Sequence, residues 1–207
     1  MSTFRKLCLA LAMGSVCTSA QSADFSDPTW PCVQRKVESL SLGLMWPFPV
    51  DAAAITIDET QASDIHDLAG YLSLRRVDLD SLQIRVDDFA EKHEGDPELL
   101  GLVFEAVFTP LSKRRGRIIS GIEDFSLGQI ALAEKIDGNR AEMDAIMTTD
   151  APDFDRVDVL EEQLDWDQVI YTDRQRNISY LCETPTLLER RLFAISQMLQ
   201  GAIKDQS

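Results

Sequence analysis

The chain has 207 residues, of which 44% are hydrophobic, and carries 35 Asp and Glu against 20 Lys and Arg, a net charge of −15. This is enough apolar material for one domain with a core, and so acidic a surface disfavours nucleic acid and anionic lipid as long-range partners. Two histidines and no Gly-x-Ser-x-Gly elbow or glycine-rich phosphate loop leave little sequence signal for catalysis.

The first residues have the layout of a secretory signal peptide. Arg5 and Lys6 precede an apolar run at 7–13 and a small-residue stretch at 14–23, with cleavage expected after Ala20 or Ala23. The apolar run falls well short of the roughly 20 residues needed to span a bilayer, and no later segment reads as a transmembrane helix. Cys17 follows Gly14-Ser15-Val16, a poor match to a lipoprotein cleavage site. A periplasmic or secreted protein is therefore expected, with 1–23 as signal and 24–207 as a single helical domain. Removing the signal takes Arg5 and Lys6 but no acid, leaving 18 basic against 35 acidic residues, a net charge of −17. Cys8 and Cys17 leave with it. The remaining pair, Cys32 and Cys182, predicts one disulfide in an oxidising compartment. Closing a loop of that length is worth up to about 5 kcal/mol in the chain-entropy account.

Residues 24–57 read as an N-terminal strap. Asp27-Pro28-Thr29-Trp30-Pro31-Cys32 predicts a short helical turn, with Val33 and Val37 on one side. Residues 41–49 then form an extended, proline-punctuated apolar segment. Two uses are open: a lid lying across the helices, or a docking surface with Trp30, Met45, Trp46 and Phe48 as partner contacts. The residues Trp30-Pro31-Cys32-Val33-Gln34-Arg35-Lys36-Val37, followed by Leu40-Ser41 and Met45-Trp46, resemble exported proteobacterial proteins of unknown function. The later halves of those proteins also look helical, with a Cys and a Pro near the start of a final helix, as at Cys182 and Pro185. The resemblance implies no activity.

Short helices are expected over 58–109. The first, at 58–73, places Ile65, Leu68, Ala69 and Leu72 on one face. The second, at 79–93, turns Leu82, Val86, Phe89 and Ala90 inward and Asp87, Asp88 and Glu91 outward. Gly95 ends it, and Asp96-Pro97 caps the next helix, which carries Leu100, Val103, Phe104, Val107 and Phe108. Pro110 is expected to kink or interrupt that helix.

Residues 111–203 are predicted to form a long antiparallel coiled-coil hairpin. One arm repeats Ile118, Ile122, Phe125, Gln129, Leu132, Ile136, Asn139, Met143 and Ile146. The other repeats Val157, Leu160, Leu164, Asp167, Tyr171, Arg174, Ile178, Leu181, Pro185, Leu188, Leu192, Ile195, Leu199 and Ala202. All but five of these are apolar, at the spacing of about 3.5 residues that winds two helices together. The turn at 148–153 carries Pro and Asp. Folding back there opposes Ile146 to Val157, Leu132 to Tyr171, Phe125 to Ile178 and Ile122 to Leu181. Gln129 then falls beside Arg174, either as a register-fixing polar layer or with Arg174 snorkelling to the rim. Gly121 and Gly128 are read as sites of close approach by a third element. Asn177-Ile178-Ser179 lies within the heptad helix and is taken as a chance glycosylation sequence.

The fold expected is all-α: a small helical bundle dominated by the hairpin. Lys113, Arg114, Arg115 and Arg117 fall within five residues, and the register brings Arg190 and Arg191 to the same level. Arginine forks match phosphates and carboxylates, so these six are candidate anion-binding residues. The competing reading is neutralisation by Asp78, Asp80, Asp87, Asp88, Glu91, Glu94, Glu183 and Glu189. His66 and His93 have acidic neighbours but lack the Glu-x-x-His spacing of di-iron bundles, so no metal, cofactor or catalytic residue is assigned. A long rod offers surface more than pocket. The leading expectation is a non-enzymatic adaptor, scaffold or accessory protein that contacts another envelope protein, with exposed Trp166 as a further candidate contact and self-association left open. The alternatives are an anionic-ligand or lipid-head-group module and, behind it, a metal-dependent enzyme.

Overall fold

Each helix starts and stops where its sequence supplies a cap. Asp58 accepts from the Gln61 backbone N–H while the Gln61 side chain accepts from that of Asp58, a capping box that opens α1 (Glu59–Leu72). A short 3-10 turn at Asp80–Leu82 leads into α2 (Gln83–Lys92). Glu94 and Gly95 then take positive φ values of 57° and 67° and reverse the chain. Asp96 accepts from Glu98 and Leu99, with Pro97 behind it, and starts α3 (Pro97–Met147). After the turn at 148–153, Asp153 caps α4 (Phe154–Gly201). This computed structural model describes residues 27–50 and 55–204. The expected signal segment, with Cys8 and Cys17, lies outside the described residues.

The chain is all-α, with no strand among the described residues, and α3 and α4 form the expected antiparallel hairpin. Thirteen of the fourteen seam positions of the second arm are buried or half-buried, and Arg174 is the exception. Arg174 is exposed at the rim, while Gln129 donates to the Tyr171 carbonyl instead (3.2 Å). The inward faces expected of α1 and α2 are the buried ones.

Two features of the hairpin differ from expectation. Pro110 does not interrupt the first arm: α3 runs unbroken through it and absorbs the helix expected before 111. The proline removes the N–H that would bond the Ala106 carbonyl, but both residues face solvent, where water takes that role. Gly121 has open space around it, and only Arg174 comes within 4 Å of a side chain built at Gly128. The close approach occurs at Gly101, where a methyl group would lie 3.0 Å from Val50 Cγ2 and 3.1 Å from Trp46 Nε1.

The strap runs back along the hairpin from its middle to its base. Ser126 Oγ donates to the Pro28 carbonyl (2.9 Å), Lys36 pairs with Glu123, and Cys32 is bridged to Cys182 across 150 residues. Further on, Ser196 and Gln200 donate to the Met45 carbonyl. Trp46 stacks on Phe104 at 5.3 Å between ring centroids. No helical turn forms around Pro31; among the described residues of the strap the helical turn is a 3-10 turn at Leu42–Leu44. Val33 and Val37 are consequently exposed. Hairpin side chains satisfy several strap backbone groups, which removes the advantage of a local helix.

The core therefore sits at the base. Leu72 and Val86 meet Leu100, Val103, Phe104 and Val107 of α3 and Leu188, Leu192, Ile195 and Leu199 of α4, all fully or almost fully buried. A smaller cluster of Trp30, Cys32, Ile119, Ile122 and Cys182 surrounds the disulfide. Beyond Ser126, inter-element hydrogen bonds and ion pairs among the described residues run only between α3 and α4.

Candidate functional site

The outer half of the hairpin is an arm whose two helices have only each other. Lys135 Nζ lies 2.9 Å from the buried Asp167 carboxylate, and Arg156 is 2.7 Å from Glu142. These ties fix the register of a seam that is half-buried along most of α3 and buried at Val157, Leu160 and Leu164 of α4. On the opposite face of α4, Val159, Trp166 and Ile170 recur at intervals of seven and four and remain exposed, with Val169 beside them and Phe154 near the turn. Trp166 is 65% exposed. Between residues 123 and 177, fifteen acids stand against five bases, so the stripe lies in a field of net charge −10.

The aromatic residues expected in the strap behave differently. Trp30 is 7% exposed and Trp46 1%, Met45 is half-buried, and Phe48 remains exposed. Trp30 Nε1 donates to the Gln34 carbonyl (2.7 Å), and Trp46 fills the notch at Gly101. The strap is a lid, and the two tryptophans expected as partner contacts are corrected to core residues. Burying them against the hairpin removes more apolar area from water than the smaller side chains of the strap could.

The six cations expected together are divided by the structure. Arg115 is 2% exposed; its Nε donates to Glu189 (2.6 Å) and its Nη1 approaches the Glu38 carbonyl (3.4 Å). Arg191 turns inward too, donating to the Leu72 and Val77 carbonyls at 3.0 Å each. Arg115 is thereby spent on the strap and its own carboxylate, whereas Arg191 holds the loop and also lines the depression beside Arg190. Lys113 and Arg117 are exposed on α3 and line neither of the depressions beside them. Arg114 and Arg190 instead flank the α1–α2 loop, where they meet Arg75 and Arg76. Those two loop arginines belong to no heptad, so periodicity gave no signal for them. Among the acids expected to neutralise the cluster, Glu189 pairs with Arg115, and Asp78 and Asp80 line the depression at Arg190.

His66 is exposed on α1. His93 is inward, and its Nε2 donates to Asp64 Oδ2 (2.8 Å), which also lies 2.7 Å from Lys92 Nζ. Lys92 first, and His93 after it, hold the Asp64 carboxyl below the usual carboxylate range. The three residues clasp the end of α2 to α1. Among the described residues, no three His, Cys, Asp or Glu side chains converge as metal ligands, and no helix is long and apolar enough to cross a membrane. No family model, curated protein or solved structure matches the chain.

Proposed function

We propose that this is an exported, periplasmic adaptor or accessory protein that works by protein contact and not by catalysis. The observation that carries the reading is the projecting arm with its uncovered stripe of Val159, Trp166, Val169 and Ile170. Soluble proteins seldom leave a periodic apolar face uncovered, and tryptophan is among the residues most enriched at binding hot spots. The surrounding net charge of −10 specifies the partner's chemistry: an apolar groove with a basic rim, on another envelope protein. The disulfide and the signal-like leader support the compartment.

The test is a photo-crosslinking side chain placed at Trp166 or Ile170 in exporting cells, with the exposed Ile84 of α2 as control. A single adduct is expected at the arm positions only, lost on Val169→Asp and weakened by salt. An adduct of twice the chain's mass reassigns the stripe to self-association. A solitary protein at every position overturns the reading.

A further inference from the structure

We propose that Arg75 and Arg76 of the α1–α2 loop, with Arg114 of α3 and Arg190 of α4, bind a phosphate group carried by a small ligand or a lipid headgroup. The site is separate from the arm.

Its construction begins with Arg191. By donating to the carbonyls of Leu72 and Val77, this side chain grips the loop at both ends and folds it onto the hairpin. Arg75 and Arg76 are thereby carried into two adjoining depressions. Arg114 lines the first and Arg190 the second, and both loop arginines line each of them. Four arginines from three elements of the chain thus line two depressions that share Arg75 and Arg76.

The charge balance there is the unusual part. Acids outnumber bases 35 to 20 in the chain, yet none of the four arginines has an acid within ion-pair distance among the described residues. Asp78 and Asp80 are the acids lining the second depression, and the first has none. Buried Arg115, by contrast, has its own carboxylate in Glu189. Burial pushes the Arg191 guanidinium below its ordinary value, with Asp78 opposing the shift and Arg75 adding to it more weakly. Its Nη2 is buried without a partner. Like charges held together by a braced loop repel, and an anion in the depressions relieves that cost. Screening confines the opposing field of the acidic arm to about 10 Å at ordinary ionic strength, so the local excess governs.

The ligand class follows from the donors. Guanidinium forks are planar, always charged and matched to oxoanions. A carboxylate offers two oxygens and is satisfied by one or two forks. A phosphate monoester offers three terminal oxygens and suits several arginines converging from different sides.

The test titrates the full mature chain with inorganic phosphate and pyrophosphate by calorimetry at about 0.1 M salt, where screening holds. In parallel, the chain is sedimented with phosphatidic acid vesicles, whose headgroup is a phosphate monoester, and with phosphatidylcholine vesicles. Arg75→Ser with Arg76→Ser, and Arg190→Ser alone, should each weaken binding about tenfold or more, the loss expected when a charge-assisted hydrogen bond is removed. Circular dichroism should be unchanged. Lys113→Ser with Arg117→Ser removes the same charge outside the depressions and should leave affinity within about twofold, as a distant screened charge does. Uptake of the soluble anions assigns the site to a soluble phosphorylated ligand, and uptake by phosphatidic acid vesicles alone assigns it to a headgroup. No binding of any probe, or equal losses in both variant sets, overturns the proposal.

Discussion

The base and the arm of the hairpin use the same two helices and the same heptad rhythm, yet they are held in different ways. In the base, seam residues such as Leu192 and Ile195 are fully buried because the strap, α1 and α2 cover the sides of the seam. In the arm most α3 positions, such as Leu132 and Met143, stay half-buried although Leu160 and Leu164 of α4 are buried, and polar ties at Asp167 and Gln129 interrupt the stripe. A repeat sets where two helices touch; how dry the contact becomes depends on what else is packed beside them. The base thus carries the stability and the arm carries the accessible surface, a division that local-unfolding energetics favours.

The largest expected effect separates the halves directly. Leu192→Ala should cost about 3–5 kcal/mol and Leu132→Ala roughly half of that, because solvent already reaches the arm position. Urea denaturation of the two variants checks it, and equal losses would remove the distinction. Second is the Cys32–Cys182 bridge at the border of the two regions. Replacing both cysteines by serine should lower stability by about 2–4 kcal/mol. Hydrogen exchange should then quicken in the strap and around Ile119 and Ile122, with the arm tip unchanged.

The smallest effect lies at the Asp64 clasp in the base. Because Lys92 and His93 hold this carboxyl below its ordinary value, its contribution is complete above about pH 4 and is lost as pH falls through the folded-state value. Asp64→Asn should be less stable than the parent at neutral pH, and the gap should narrow below about pH 4. Denaturation midpoints across that range measure it. A variant of the arm, Asp167→Asn, provides the comparison.

The parts legible in the sequence are those set by local rules. The cap at Asp96, the inward faces of α1 and α2, the turn at 148–153 and the hairpin register all follow from spacing and side-chain chemistry. Pro110 misleads because its cost depends on whether the orphaned Ala106 carbonyl meets water, which periodicity does not report. Gly121 and Gly128 draw notice by their seven-residue interval, whereas Gly101 has no such partner and is explained only by Trp46 folding back from far along the chain. Trp30 and Trp46 look like surface anchors until the disulfide and Gly101 give them pockets. For the arginine patch, sequence proximity found Arg114 and Arg190 but paired them with Arg115 and Arg191, which point inward. Arg75 and Arg76 reach the patch through the fold of a loop, and a loop has no period to read.

The bridge has a consequence for the order in which the molecule is made. Cys32 emerges from the ribosome early and Cys182 near the finish, 150 residues later. Through most of synthesis the first thiol has no native mate, so oxidation has to await the nearly complete polypeptide. The leading segment is in that sense the final piece to be locked down, and an oxidant arriving too soon would find a single sulfur open to bonding with another molecule.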